Sequence, residues 1–110
     1  MTANQLATLQ RLGVATPEQT NQLAEETMRT ARIAARVACR QRRLRADDIE
    51  DVVQLVAVKA LRLVKRWRAE KSAWQTWVSV IAKTVIADQG RAYQSEAARG
   101  RAIAKMKGIL

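Results

Sequence analysis

Between Gly13 and Gly90 the chain has no glycine, and its one proline, Pro17, stands near the start of that stretch. Folds rich in β-structure are punctuated by frequent turns, which draw on glycine and proline for backbone angles that other residues resist. So long a segment without them reads as a succession of helices. The fold class expected is all-α, a compact bundle of three to four helices. Apolar residues make up 48% of the sequence, but aromatics only 4%, with no phenylalanine. Ala, Val, Leu and Ile must therefore fill the interior, which favours helices packed at short range. A chain of 110 residues can bury one such core but not two.

Twenty Lys and Arg oppose ten Asp and Glu, giving a formal charge of +10 and a pI near 11.1. Such an excess attracts polyanions over long range, nucleic acid first among them. The beginning, Met1-Thr2-Ala3-Asn4-Gln5, has no basic segment followed by an apolar run, and no stretch approaches the roughly eighteen apolar residues of a membrane span. A cytoplasmic location without membrane association is expected. Cys39 is the only cysteine and there is no histidine. Intrachain disulfides are thereby excluded, and neither a soft-metal cluster nor an imidazole for acid-base work is on offer. No cofactor and no enzymatic role are expected.

Leu6, Leu9 and Leu12 suggest a first short helix over residues 3–12, ended by Gly13. Thr16-Pro17-Glu18-Gln19 reads as an N-cap, a proline at the first helical position and a capping box, opening a second helix that runs to about Leu44. Along it Arg29, Arg32, Arg36, Arg40 and Arg43 recur at steps of three and four and fall within a sector of roughly 80°. Met28, Ala31, Ala34, Ala35 and Ala38 line the rest of the circumference. With no acid between Glu26 and Asp47, the counterion of this arginine stripe is expected outside the molecule.

Four carboxylates, Asp47, Asp48, Glu50 and Asp51, then crowd one helix start. Asp47 with Glu50 fits a capping box, and Asp48 and Asp51 suit the positive end of the helix dipole. Ile49, Val52, Val53, Val56, Ala60, Leu63, Val64 and Trp67 keep a helical period, so this third helix should end near Ala69. Ser72 with Gln75 offers the cap of a fourth helix, along which Trp74, Trp77, Val78, Ile81, Val85 and Asp88 share a face. Gly90 should bend or end it. The domain organisation that follows is a short helix or arm over 1–15, a helical domain over 16–92 and a basic tail over 93–110.

Asp48-Ile49-Glu50-Asp51-Val52-Val53-Gln54 resembles region 2.2 of bacterial sigma factors of the extracytoplasmic-function type, which reads approximately Asp-Ala-Glu-Asp-Leu-Val-Gln. Trp74, Trp77-Val78, Ile81-Ala82-Lys83, Asp88 and Arg91 align without a gap to the family's following helix. The resemblance spans roughly residues 28–95. Leu55 stands where the family carries a second acid, Ala57 and Leu61 stand at aromatic positions, and Thr84 replaces an Asn.

The resemblance implies that the acidic helix docks on the clamp coiled coil of the largest RNA polymerase subunit, with Asp48, Asp51, Gln54 and Arg62 as contacts. It also implies that the tryptophan-bearing helix engages single-stranded promoter minus-ten DNA. Lys71, Lys83 and Arg91, with Arg66 and Arg68, would meet phosphates, joined by Arg36, Arg40 and Arg43 of the stripe, while Trp67 would stack on a base. Trp74 and Trp77 match positions that chiefly pack the core. The chain stops before any region 4, so it is expected to stand alone or to form half of a split sigma factor, with a separate region 4-bearing protein or an anti-sigma protein as further partners. Two other readings remain at this level: a helical protein that binds nucleic acid without polymerase, and a clamp-binding adaptor or inhibitor of transcription.

Overall fold

The computed structural model describes the backbone of residues 1–109 and the side chains of residues 1–91. The described residues form four α-helices: α1 (Ala3–Leu12), α2 (Pro17–Arg40), α3 (Ile49–Arg62) and α4 (Trp74–Ile109). Short 3-10 turns at Ala46–Asp48 and Val64–Arg66 lead into and out of α3.

Both early helix starts form as their sequences dictate. Thr2 caps α1 in a reciprocal box with Gln5, Thr16 caps α2 with Gln19, and Gly13 closes α1 in the left-handed conformation at φ 76°. Helix α2 stops at Arg40, short of the expected Leu44. Arg42 N donates to Cys39 O and Arg43 N to Ala38 O, with Arg42 itself left-handed at φ 59°. This is a Schellman closure with arginine where glycine is usual, and nothing in the local composition announces it.

Helix α3 ends at Arg62 rather than near Ala69, yet its apolar stripe continues inward through Val64 and Trp67, both buried. Helix α4 begins at Trp74, not at Ser72. The first turn is capped from a distance: Asn4 Oδ1 of α1 accepts from Trp74 N at 2.7 Å. No break occurs at Gly90. A Cβ there would lie 3.3 Å from Arg43 O, so this glycine allows the α2–α3 loop to lie against α4. The basic segment 93–110 has its side chains outside the described residues.

Packing follows from these contacts. Arg32 meets Glu50 and Met28 meets Gln54, so α2 and α3 run antiparallel. Thr27 touches Trp74 and Arg43 lies by Gly90, so α2 and α4 run in the same direction. The small face of α2 does what its sequence suggests: Ala31 and Ala35 have no exposed surface, letting the valines of α3 and Val78 and Ala82 of α4 close over them. Helix α1 lies across the end where α3 connects to α4, burying Leu6 and Ala7 and donating from Arg11 Nη1 to Trp67 O at 3.3 Å.

Candidate functional site

The capping box expected of the acidic cluster is absent. Asp48 occupies the N-cap position of α3 with helical backbone angles and no side-chain cap bond, because the 3-10 turn already delivers the chain in helical geometry. Glu50 reaches sideways instead: Arg32 Nε and Nη2 donate to its two carboxylate oxygens at 3.0 and 3.1 Å. That hydrogen bonding holds Glu50 below its ordinary pKa against the opposing effect of desolvation, helped by attraction to Arg32 and Arg36. The same bond raises the Arg32 guanidinium above its usual value. The sequence expectation of an external counterion therefore fails at Arg32, and also at Arg29, which pairs with Glu26 at 3.0 Å.

With Glu50 engaged, Asp51 and Gln54 stand exposed on the outer face of α3 and Asp48 half-exposed at its tip. Among the described residues Asp51 has no ion-pair partner, and Gln54 makes only a 3.8 Å approach from Nε2 to Met28 Sδ. Arg62 is exposed as well and falls about three turns from Asp51 on the same side of the helix. Leu55 and Val58 lie between them, 50% and 46% exposed.

The cations fall into separate groups. Arg43 belongs to the α2–α3 loop rather than to the helical stripe, and it lines a cleft of about 270 Å³ between α2 and α4 together with Lys83, Ile33 and Val37. Arg36 and Arg40 flank the neighbouring concavity with Cys39 and Ile49. Arg66, Arg68 and Lys71 are exposed around the α3–α4 connection. Arg68 Nη1 is committed there, donating to Lys65 O at 2.7 Å and Trp67 O at 3.0 Å. Arg91 is paired with Asp88 one turn before it.

Trp67 does not stack on anything outside the protein. It is fully buried, its indole Nε1 donates to Ser72 O at 3.1 Å, and its ring meets Trp74 edge to face at 5.6 Å. The covering helix α1 and the folded 67–73 loop put it inside. Trp74 is buried too, with Nε1 donating to Thr27 Oγ1 at 3.0 Å, and Trp77 packs beside it at 5.1 Å. The exposed pair Ile33 and Val37 was missed from sequence, although two aliphatic residues among outward-facing arginines were a legible signal of a contact surface.

Among the described residues no helix is long and apolar enough to cross a membrane. No curated protein and no solved structure matches the chain. The family model for sigma-70 region 2 matches residues 23–96, which takes in most of α2, all of α3 and α4 as far as residue 96. Because that match covers well over half of the sequence and includes both motifs, the chain belongs to the sigma-70 region 2 family, a domain of transcription initiation that serves RNA polymerase binding and recognition of the promoter minus-ten element.

Proposed function

We propose that the outer face of α3 docks on the clamp coiled coil of the largest RNA polymerase subunit, with Asp51 and Gln54 as its central polar contacts and Asp48 and Arg62 at either end. One observation carries this reading: of the acids in the first turn of α3, Glu50 is consumed by Arg32, while Asp51 beside it is exposed and has no ion-pair partner among the described residues. A carboxylate and an amide three residues apart share a helix face and can accept from and donate to basic side chains of a partner helix.

Promoter minus-ten single strand would lie along the α2–α4 cleft. Arg43 and Lys83 there, with Arg36 and Arg40 nearby, supply phosphate contacts, and Ile33 and Val37 supply apolar surface for a base that has left its stack. Arg66 and Lys71 extend the cationic track at the other end of α4, with Arg68 and Arg91 weaker contributors because each already holds a partner.

Titration of the protein into purified bacterial core polymerase, followed by fluorescence anisotropy, tests the docking. Asp51→Arg with Gln54→Ala should weaken the complex by a few kcal/mol, since both groups would be desolvated in it. Unchanged affinity would return these residues to a purely structural role. A second reading, nucleic-acid binding without polymerase, draws support from Arg36 and Arg40, which are exposed and have no ion pair among the described residues. Initiation assays on a minus-ten promoter separate the two, and would also identify a clamp-bound inhibitor, which lowers initiation rather than raising it.

A further inference from the structure

The outer face of α3 is complementary to itself. Asp51 and Arg62 sit at equal distances on either side of the level between Val56 and Ala57, and so do Leu55 and Val58. A two-fold axis crossing α3 at right angles at that level would bring Asp51 of one copy opposite Arg62 of the next, twice, and Leu55 opposite Val58, twice. All four side chains face outward: Leu55 is 50% and Val58 46% exposed, Asp51 and Arg62 are exposed, and neither charge has an ion-pair partner among the described residues. Beside this ridge runs a groove of about 420 Å³ between α3 and α4, floored by Leu63 and Val85. Paired copies could seat their aliphatic side chains in each other's groove. Leu55 takes the place of an acid in the family's pattern; an acid there would put two like charges at the middle of such a pairing.

We infer that two copies of this chain associate antiparallel through the outer faces of α3, and that this pairing competes with any partner that uses Asp51. The self-association stands on the geometry alone, whereas the competition with polymerase rests on the docking reading above.

One helix face is small for an interface, below the roughly 1,200–2,000 Å² of stable complexes, so a weak dimer is expected. Each copy also carries a formal +10. At low ionic strength the two bodies repel over long range, and salt near 0.15 M screens that repulsion beyond about 8 Å while leaving the apolar centre intact. The dimer should therefore strengthen as salt rises from low to physiological, opposite to the behaviour of nucleic-acid binding.

Sedimentation equilibrium of the full chain at concentrations from about 10 to about 500 µM, high enough to populate the weak pairing expected of an interface below standard size, is the test. The weight-average mass should rise from 12.3 kDa toward that of a dimer. Leu55→Asp should leave a monomer, with circular dichroism checking that the helices persist. Asp51→Arg or Arg62→Asp alone should raise the dissociation constant about tenfold, because each change sets two like-charged pairs face to face. The double swap Asp51→Arg with Arg62→Asp should restore pairing. A mass that stays at 12.3 kDa throughout, or a dimer indifferent to Leu55→Asp, or singles and double swap that behave alike, would overturn the inference. Polymerase titrations distinguish the two readings. A doubly swapped chain that dimerises and still binds polymerase normally sinks the docking through Asp51 alone. A wild-type monomer that binds polymerase through Asp51 sinks the pairing alone.

Discussion

Arg32 clasps Glu50 with two parallel hydrogen bonds of 3.0 and 3.1 Å, joining the middle of α2 to the first turn of α3. The pair marks the rotation of α3 against α2 that their buried faces set. In that rotation Glu50 turns to the neighbouring helix and Asp51 is left exposed.

This pairing sets a pH dependence. Glu50 has a folded pKa below its ordinary value, so its stabilising contribution is complete above the usual carboxylate range and is lost as pH falls through the lowered folded value. Glu50→Gln should remove that dependence while leaving stability at neutral pH only slightly reduced, since the pair is largely solvated. Thermal melts of both proteins between about pH 2 and 7 check this through the convergence of the two curves at the acid end.

Thr27 supports the tryptophan cluster through one hydroxyl, donating to Leu23 O at 2.7 Å while accepting from Trp74 Nε1. Thr27→Val keeps the shape and strands a buried indole donor, costing about 1–3 kcal/mol in urea unfolding. Thr27→Ser keeps the hydroxyl and should lose about 1 kcal/mol for one buried methyl. A valine variant as stable as the unsubstituted protein would show that the indole bond contributes nothing.

Arg42 adopts φ 59° at the Schellman closure of α2. Left-handed backbone is disfavoured for residues bearing a Cβ, so Arg42→Gly should stabilise the fold by about 0.5–1 kcal/mol. Arg42→Val should destabilise it, a β-branched side chain tolerating that conformation worst. Chemical denaturation midpoints give both signs.

Cation placement predicts which charges single-stranded DNA would feel. Arg43→Gln and Lys83→Gln should each lower the slope of log affinity against log salt by about 0.7 if each meets one phosphate. Arg29→Gln should change it far less, its charge already being matched by Glu26. Fluorescence titrations of an oligonucleotide at four or so salt concentrations suffice to read these slopes.

What the sequence disclosed was local. The start of α2 was legible because Thr16, Pro17 and Gln19 form a cap within one turn, and the acidic motif and tryptophan helix were legible as contiguous patterns. The end of α2 was not, since Arg42 takes the place of the glycine that would have marked it. The inward turn of Trp67 depends on α1 arriving from the other end of the chain, and the pairing of Arg32 with Glu50 depends on the rotation of two helices; neither is encoded within a window of neighbouring residues. The cationic stripe holds along α2 from Arg29 to Arg40, but Arg29 is paired with Glu26 and Arg32 with Glu50, and the early end of the helix leaves Arg43 in the loop.

The bond from Trp74 N to Asn4 Oδ1 spans 70 positions, so α4 gets its opening cap from a residue that leaves the ribosome well before it. Until residue 74 emerges, Asn4 has no amide to receive, and the tryptophan cluster has no lid to complete. The opening turn of α4 is thus satisfied only when two segments distant along the chain have met, which makes this cap a product of the tertiary fold rather than of local sequence.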